Sequence, residues 1–172
     1  TCLTIDTGAG PRRLELHVAA GAVEAGTGDM GTARVGRAVT LETAGETFTV
    51  IPVEVGNPHG VIFCEDPDGV ELERVGPALE RHPALGGRRN IEFAACLGRE
   101  RLAIRVWERG SGITLACGTG ACACFAAAME ENRCGTRVEA ALPGGVLTLE
   151  RRGESLFMTG PARTVFEGEL PI

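Results

Sequence analysis

Along most of the chain apolar and polar residues alternate every second position between glycine-containing turns, the pattern of short antiparallel strands. This alternation predicts strands over Leu3 to Thr7, Arg13 to Val18, Ala22 to Asp29, Glu46 to Val55, Val61 to Cys64, Leu102 to Glu108, Thr136 to Leu142, Val146 to Arg151, Ser155 to Gly160 and Ala162 to Phe166. Pro143-Gly144-Gly145 and Arg152-Gly153-Glu154 join later members of the set as hairpins. Two segments break the alternation. Gly76 to Pro83 has one proline near its start and another at its end, which predicts a short surface helix with His82 as a solvated loop residue. From Thr119 to about Asn132 the residues are apolar almost all round before turning acidic, which predicts a buried helix. The expected fold is α+β: a single domain of mostly antiparallel strands wrapped around one buried central helix, whose alanines let the strands approach closely.

The 172 residues, 44% hydrophobic and 23% charged, suffice for one respectable core or two small ones. The net charge of −6 is spread along the chain, and no arginine stripe with interleaved aromatics appears, which argues against nucleic acid as a partner. No apolar run is long enough to span a bilayer and no segment reads as a signal peptide, so a cytoplasmic location without membrane contact is expected. All 17 basic residues are arginine. A chain without lysine has no group for a pyridoxal-phosphate Schiff base, so any amino-acid chemistry is expected to run without that cofactor.

The seven cysteines lack the spacing of a secreted disulfide framework. Cys122 and Cys124 lie two apart on the expected helix and point to different faces, which argues against a metal site with Cys117 and Cys134. Cys64, Cys96, Cys122, Cys124 and Cys134 read as small buried hydrophobes. Thr1 opens on a strand already in progress, with no start methionine and no cap, so the sequence is expected to begin inside a longer natural chain.

The candidate chemistry centres on Cys117, set in a glycine-rich turn at the start of the expected helix. Unpaired N–H groups and the positive end of the helix dipole are expected to lower its pKa and to leave a carboxylate socket at the amides of Gly118, Thr119 and Gly120. Taken alone, His59 after a proline reads as a loop histidine, Glu108 as a solvated strand-end carboxylate, and Gly56-Asn57-Pro58 as turn chemistry.

Glu108-Arg109-Gly110 followed by Ala116-Cys117-Gly118-Thr119-Gly120-Ala121, with Gly56-Asn57-Pro58-His59 and Arg89-Asn90-Ile91-Glu92-Phe93 upstream, resembles the diaminopimelate epimerases in order and spacing across nearly the whole chain. Enzymes of that family invert an α-carbon with two cysteines, one on each face. A single base would tend to return the proton to the side it left. The resemblance implies that Cys117 is one of the two, that His59 and Glu108 set the thiols' protonation, and that Gly118, Thr119 and Gly120 hold the α-carboxylate. Asn57, Asn90 and Arg109 would read the distal end of the substrate. Glu92 and Phe93 are taken as structural, and Trp107 as a core or wall residue.

The family's other cysteine lies in a Gly-Asn-Gly-x-Arg-Cys motif, which this sequence lacks, and Ile113-Thr114 stands where the family commonly has Glu-Thr. The chain therefore resembles the C-terminal domain, with terminal strands at about 1–10 and 162–172 that would pack on a missing N-terminal domain. The resemblance implies a cofactor-independent isomerase interconverting LL- and meso-2,6-diaminopimelate in lysine and peptidoglycan precursor synthesis. The partners implied are that small-molecule substrate, the N-terminal domain and a second copy in a homodimer. The isolated chain is expected to be inactive. Two alternatives stand beside it: a non-catalytic half-domain that binds a diamino acid, and a proline-racemase-like enzyme.

Overall fold

The computed structural model describes residues 1–7 and 10–169. Among these the strands are β1 (Cys2–Thr7), β2 (Gly10–Ala19), β3 (Ala22–Gly31), β4 (Arg34–Val35), β5 (Val39–Thr43), β6 (Glu46–Glu54), β7 (Pro58–Phe63), β8 (Asn90–Cys96), β9 (Arg101–Glu108), β10 (Gly112–Ile113), β11 (Arg137–Leu142), β12 (Gly145–Arg152) and β13 (Ser155–Pro161). The helices are α1 (Leu72–Glu80) and α2 (Gly118–Glu130), with a 3-10 turn at Pro83–Leu85.

The strands form one sheet in the order β1-β2-β3-β13-β12-β11-β9-β8-β7-β6-β4, with β10 added to β9 and β5 to β6. Every pairing is antiparallel except β7 with β8 and β9 with β11. Parallel neighbours cannot be joined by a hairpin, and the two helices lie in these two connections. Alternate residues of β7, β8 and β9 face opposite ways. Val61, Ala94, Leu102, Ile104 and Val106 pack with α2, whereas Ile62, Ile91 and Phe93 pack with Leu72, Val75 and Leu79 of α1. The same alternation puts His59, Asn90, Glu92 and Glu108 on the α2 face.

α2 is buried without a break from Gly120 to Ala128, as its all-round apolar sequence predicts. The other helix differs from expectation. It starts at Leu72, holds Pro77 in its interior and is mostly buried; Pro83 belongs to the separate 3-10 turn, where His82 Nδ1 accepts the Ala84 N–H at 3.3 Å. Packing of Leu72, Val75 and Leu79 outweighs the hydrogen bond that Pro77 removes. Gly76 presses on Trp107 so closely that a Cβ there would lie 2.5 Å from Cδ2.

β8 runs buried on both faces, so it shows no alternation to read. β5 joins β6 through Ala44-Gly45, both at positive φ (52° and 77°), a turn conformation ordinarily announced by Asn-Gly. No strand forms at Ala162 to Phe166. The ladder ends with the Ala162 N–H donating to Glu24 O at 2.9 Å, and Val165 and Phe166 are left exposed with no sheet to cover them. Residues 8, 9 and 170–172 of the expected terminal strands lie outside the described residues.

Candidate active site

Cys117 caps α2. Its backbone is extended (φ −137°, ψ 107°), and its Sγ takes the place of the usual capping oxygen, accepting the Gly120 N–H at 3.4 Å. Thr119 Oγ1 lies 3.6 Å from the same sulfur. From there a chain of hydrogen bonds enters the sheet. Asn57 Nδ2 donates to Thr119 Oγ1 at 3.3 Å, His59 Nε2 meets Asn57 Oδ1 at 2.9 Å, and His59 Nδ1 lies 2.7 Å from Glu92 Oε1. The side chains of His59 and Glu92 are wholly buried, and Glu92 Oε2 makes no hydrogen bond among the described residues.

Glu92 was expected to be structural and instead stands at the inner end of this chain. Phe93, its neighbour, does face the α1 core. A signal was present in the sequence: Asn90 and Glu92 share one face of a strand that is otherwise apolar through Ala95, and an acidic residue there has no route to water. Burial pushes the Glu92 carboxyl above its ordinary value; the hydrogen bond and charge of His59 and a bond from the Gly60 amide offset this only in part, and Glu108 adds to the rise.

The Cys117 thiol is also raised, against the expectation that its helix terminus lowers it. Loss of water around the sulfur is the largest cause, and the carboxylates of Glu92 and Glu108 push the same way. The bonds from Thr119 and Gly120 act in the opposite sense and recover only part. A helix terminus contributes a partial charge over one turn, which is less than burial removes. Burial therefore favours the thiol form of Cys117.

The Gly120 amide donates to the Cys117 sulfur. The Gly118 and Thr119 amides precede the first intrahelical bond, made by Ala121 N–H to Cys117 O, and have no protein acceptor among the described residues. Glu108 Oε1 accepts the Thr114 hydroxyl at 2.7 Å, tying the end of β9 to the loop that leads to Cys117. Asn90 lies apart from the cysteine's chain of bonds. Its Oδ1 accepts the Arg109 N–H at 2.8 Å and its Nδ2 donates to Pro58 O at 3.3 Å, so this amide clamps backbone. The exposed Arg109 guanidinium makes a single contact, 3.5 Å to Arg88 O, among the described residues.

Trp107 forms the wall behind this segment. Its Nε1 donates at 2.8 Å to Glu80 Oε2, whose other oxygen takes Arg88 Nε at 2.6 Å. A recess of about 390 Å³ reaches from Ile5, Leu14 and Met30 on the β1–β3 ribbon to Asn57 and Thr119. Among the described residues no three His, Cys, Asp or Glu side chains are placed to hold a metal ion, and no helix is long and apolar enough to cross a membrane. Burial raises the Cys124 thiol well above its ordinary value and pushes Cys122 up to about 12. Both behave as packing groups.

Solved structures with this fold include a hydroxyproline epimerase from Agrobacterium vitis (TM-score 0.69, 16% identity, 94% of this chain and 56% of that one). A PhzF-family phenazine biosynthesis protein from Bacillus anthracis also matches (TM-score 0.63, 13% identity, 92% and 64%). The fold is thus that of the epimerase and PhzF-like proteins, a class built from antiparallel strands around a central helix. Sequence narrows the class: the Diaminopimelate epimerase family model matches residues 51–165. The diaminopimelate epimerase of Nostoc punctiforme is 48% identical over 77% of this chain and 48% of its own length. That of Bacteroides thetaiotaomicron is 42% identical over 98% of this chain and 63% of its own. The chain belongs to the diaminopimelate epimerase family. It spans about half to just under two thirds of the length of the curated relatives it matches.

Proposed function

We propose that this chain is the C-terminal domain of a cofactor-independent epimerase that interconverts LL- and meso-2,6-diaminopimelate, serving lysine and peptidoglycan precursor synthesis in the cytoplasm. The observation that carries it is Cys117 itself. Its thiol caps α2 beside two amides with no protein acceptor among the described residues, in a chain of this family. As a thiol, Cys117 delivers a proton to one face of the α-carbon, after a thiolate on the opposite face has taken the α-proton. The electron pair left on carbon spreads onto the α-carboxylate, and the Gly118 and Thr119 amides stabilise that charge. Each turnover exchanges the roles of thiol and thiolate.

His59 and Glu108 govern the proton state near the thiol. The distal carboxylate is read by Arg109, whose planar fork suits a bidentate pair. Asn57 and Asn90 contribute by holding Thr119 and the Arg109 backbone in place. The opposing cysteine comes from an N-terminal domain that packs on the β1–β3 side, and the complete protein forms a homodimer. Residues 1–172 alone are inactive, since general acid–base catalysis contributes about 10²–10⁴-fold and half of it is missing.

The test is α-proton exchange of LL-diaminopimelate in deuterated water by the full-length gene product. Exchange that is abolished by Cys117→Ser supports the assignment. A full-length protein that binds the diamino acid by calorimetry but exchanges no proton makes it a binding module instead.

A further inference from the structure

A Cβ on Gly120 would lie 2.7 Å from Glu92 Oε1 and 3.2 Å from its Cγ, so the missing side chain is what lets this carboxyl press against the first turn of α2. There it gives one oxygen to His59 and leaves the other unbonded among the described residues. A buried carboxylate kept for stability is ordinarily surrounded by donors, as Glu80 is by Arg88 and Trp107.

The direction of the hydrogen bonds follows from Asn57. Its Oδ1 can only accept, so His59 Nε2 carries a proton and donates it. Its Nδ2 can only donate, so Thr119 Oγ1 accepts and keeps its own hydroxyl proton free for Cys117 Sγ. With the ring proton on Nδ1, the Asn57 amide would turn over, Oδ1 would claim the Thr119 proton, and the sulfur would lose one of its two donors. We infer that Glu92 is a positioning residue: by sharing a proton with Nδ1 of His59 it leaves a second proton on Nε2 and, through Asn57, keeps the Thr119 hydroxyl turned to Cys117. Carboxylic acid on imidazole, or imidazolium on carboxylate, both satisfy this requirement, because Nε2 is protonated in each.

The groups that face the pair are Glu108 from β9 and the Cys124 thiol from α2, with Arg89 Nη1 on the His59 carbonyl at 3.3 Å. Those that face Cys117 are Glu92, Glu108 and the Cys122 and Cys124 thiols. The inference deepens the proposed function by taking Cys117 as the working thiol. Its test reads the ring and the sulfur and not turnover, so either can fail alone.

Two variants, Glu92→Gln and Glu92→Leu, both remove the carboxyl, but only glutamine can donate to Nδ1. Nitrogen NMR of the histidine-labelled chain, with His59 assigned by its absence in His59→Gln, is expected to show Nε2 protonated in the parent and in Glu92→Gln, and mixed tautomers in Glu92→Leu. Iodoacetamide labelling of Cys117, read by peptide mapping across pH, is expected to be about tenfold slower at a given pH in Glu92→Leu than in Glu92→Gln, a midpoint higher by about one unit. Equal labelling in the two variants overturns the inference, as does a parent ring with Nε2 unprotonated. If Glu92→Leu does not fold, the tautomers of the parent and Glu92→Gln decide, and a neutral ring with its proton on Nδ1 in either one is fatal.

Discussion

The two helices cover opposite faces of the same three strands, and each face repeats one device with opposite consequences. On the α1 side a helix glycine, Gly76, makes room for a strand residue, Trp107, which bonds a buried glutamate, Glu80. On the α2 side a helix glycine, Gly120, makes room for a strand glutamate, Glu92, which bonds a buried histidine. Burial raises the Glu80 carboxyl, but its bonds to Trp107 and Arg88 more than reverse that, and it ends below its ordinary value. Glu92, bonded by His59 and the Gly60 amide, ends above. Depth of burial and the donors each carboxyl finds thus part the two: the shallower Glu80 becomes a strut on one face, and the deeper Glu92 a proton-holding group on the other.

Gly76→Ala should do the most damage, because an indole held between a helix and a sheet cannot withdraw. A loss of about 3 kcal/mol is expected in urea unfolding, at the upper end for an overpacked site. Glu80→Ala follows, at about 2 kcal/mol, since it leaves the indole N–H without its acceptor, while the half-exposed Arg88 recovers water. A carboxyl with a lowered folded pKa stabilises above its ordinary range and ceases to do so as pH falls through the folded value. The Glu80→Ala deficit should therefore shrink in acid, and a deficit constant from pH 7 to pH 3 would break the contrast with Glu92.

Gly120→Ala is expected to cost less, about 1 kcal/mol, because the atom it meets first is a carboxyl oxygen at the end of a side chain. Its larger effect should appear as altered Cys117 alkylation. Glu92→Gln should move stability least and in the other direction. A carboxyl whose folded pKa is raised stabilises fully below its unfolded value and loses that contribution as pH rises through the raised one. The glutamine variant should thus gain on the parent as pH rises above the ordinary carboxylate range, and an unfolding series that shows the reverse would make Glu92 a second strut.

These two faces were unequally legible. β9 and β11 follow from alternation because one side of each is buried and the other more exposed, and α2 follows from its apolar run. β8 gives no such signal, being buried on both sides, and so Glu92 passed for an ordinary strand residue although its face-mate Asn90 did not. The start of α1 was hidden because Pro77 reads as a first-turn residue while packing of Leu72 and Val75 places it mid-helix. Cys117, Thr119, Asn57 and His59 were found by motif, and they converge in space. The protonation of Cys117 was misread, since sequence displays the helix terminus but not the depth at which the sulfur is buried.

The sheet order also carries a message about time. β3 is stitched to β13, and the Thr27 and Thr159 hydroxyls meet at 2.7 Å across 132 positions of sequence. Hairpin pairing such as that of β2 with β3 is local and forms within about 10 microseconds, whereas the ribbon's place in the sheet depends on the distant β13. The ribbon that floors the recess beside Asn57 and Thr119 is therefore held in place by a long-range pairing, and the shape of the recess depends on it.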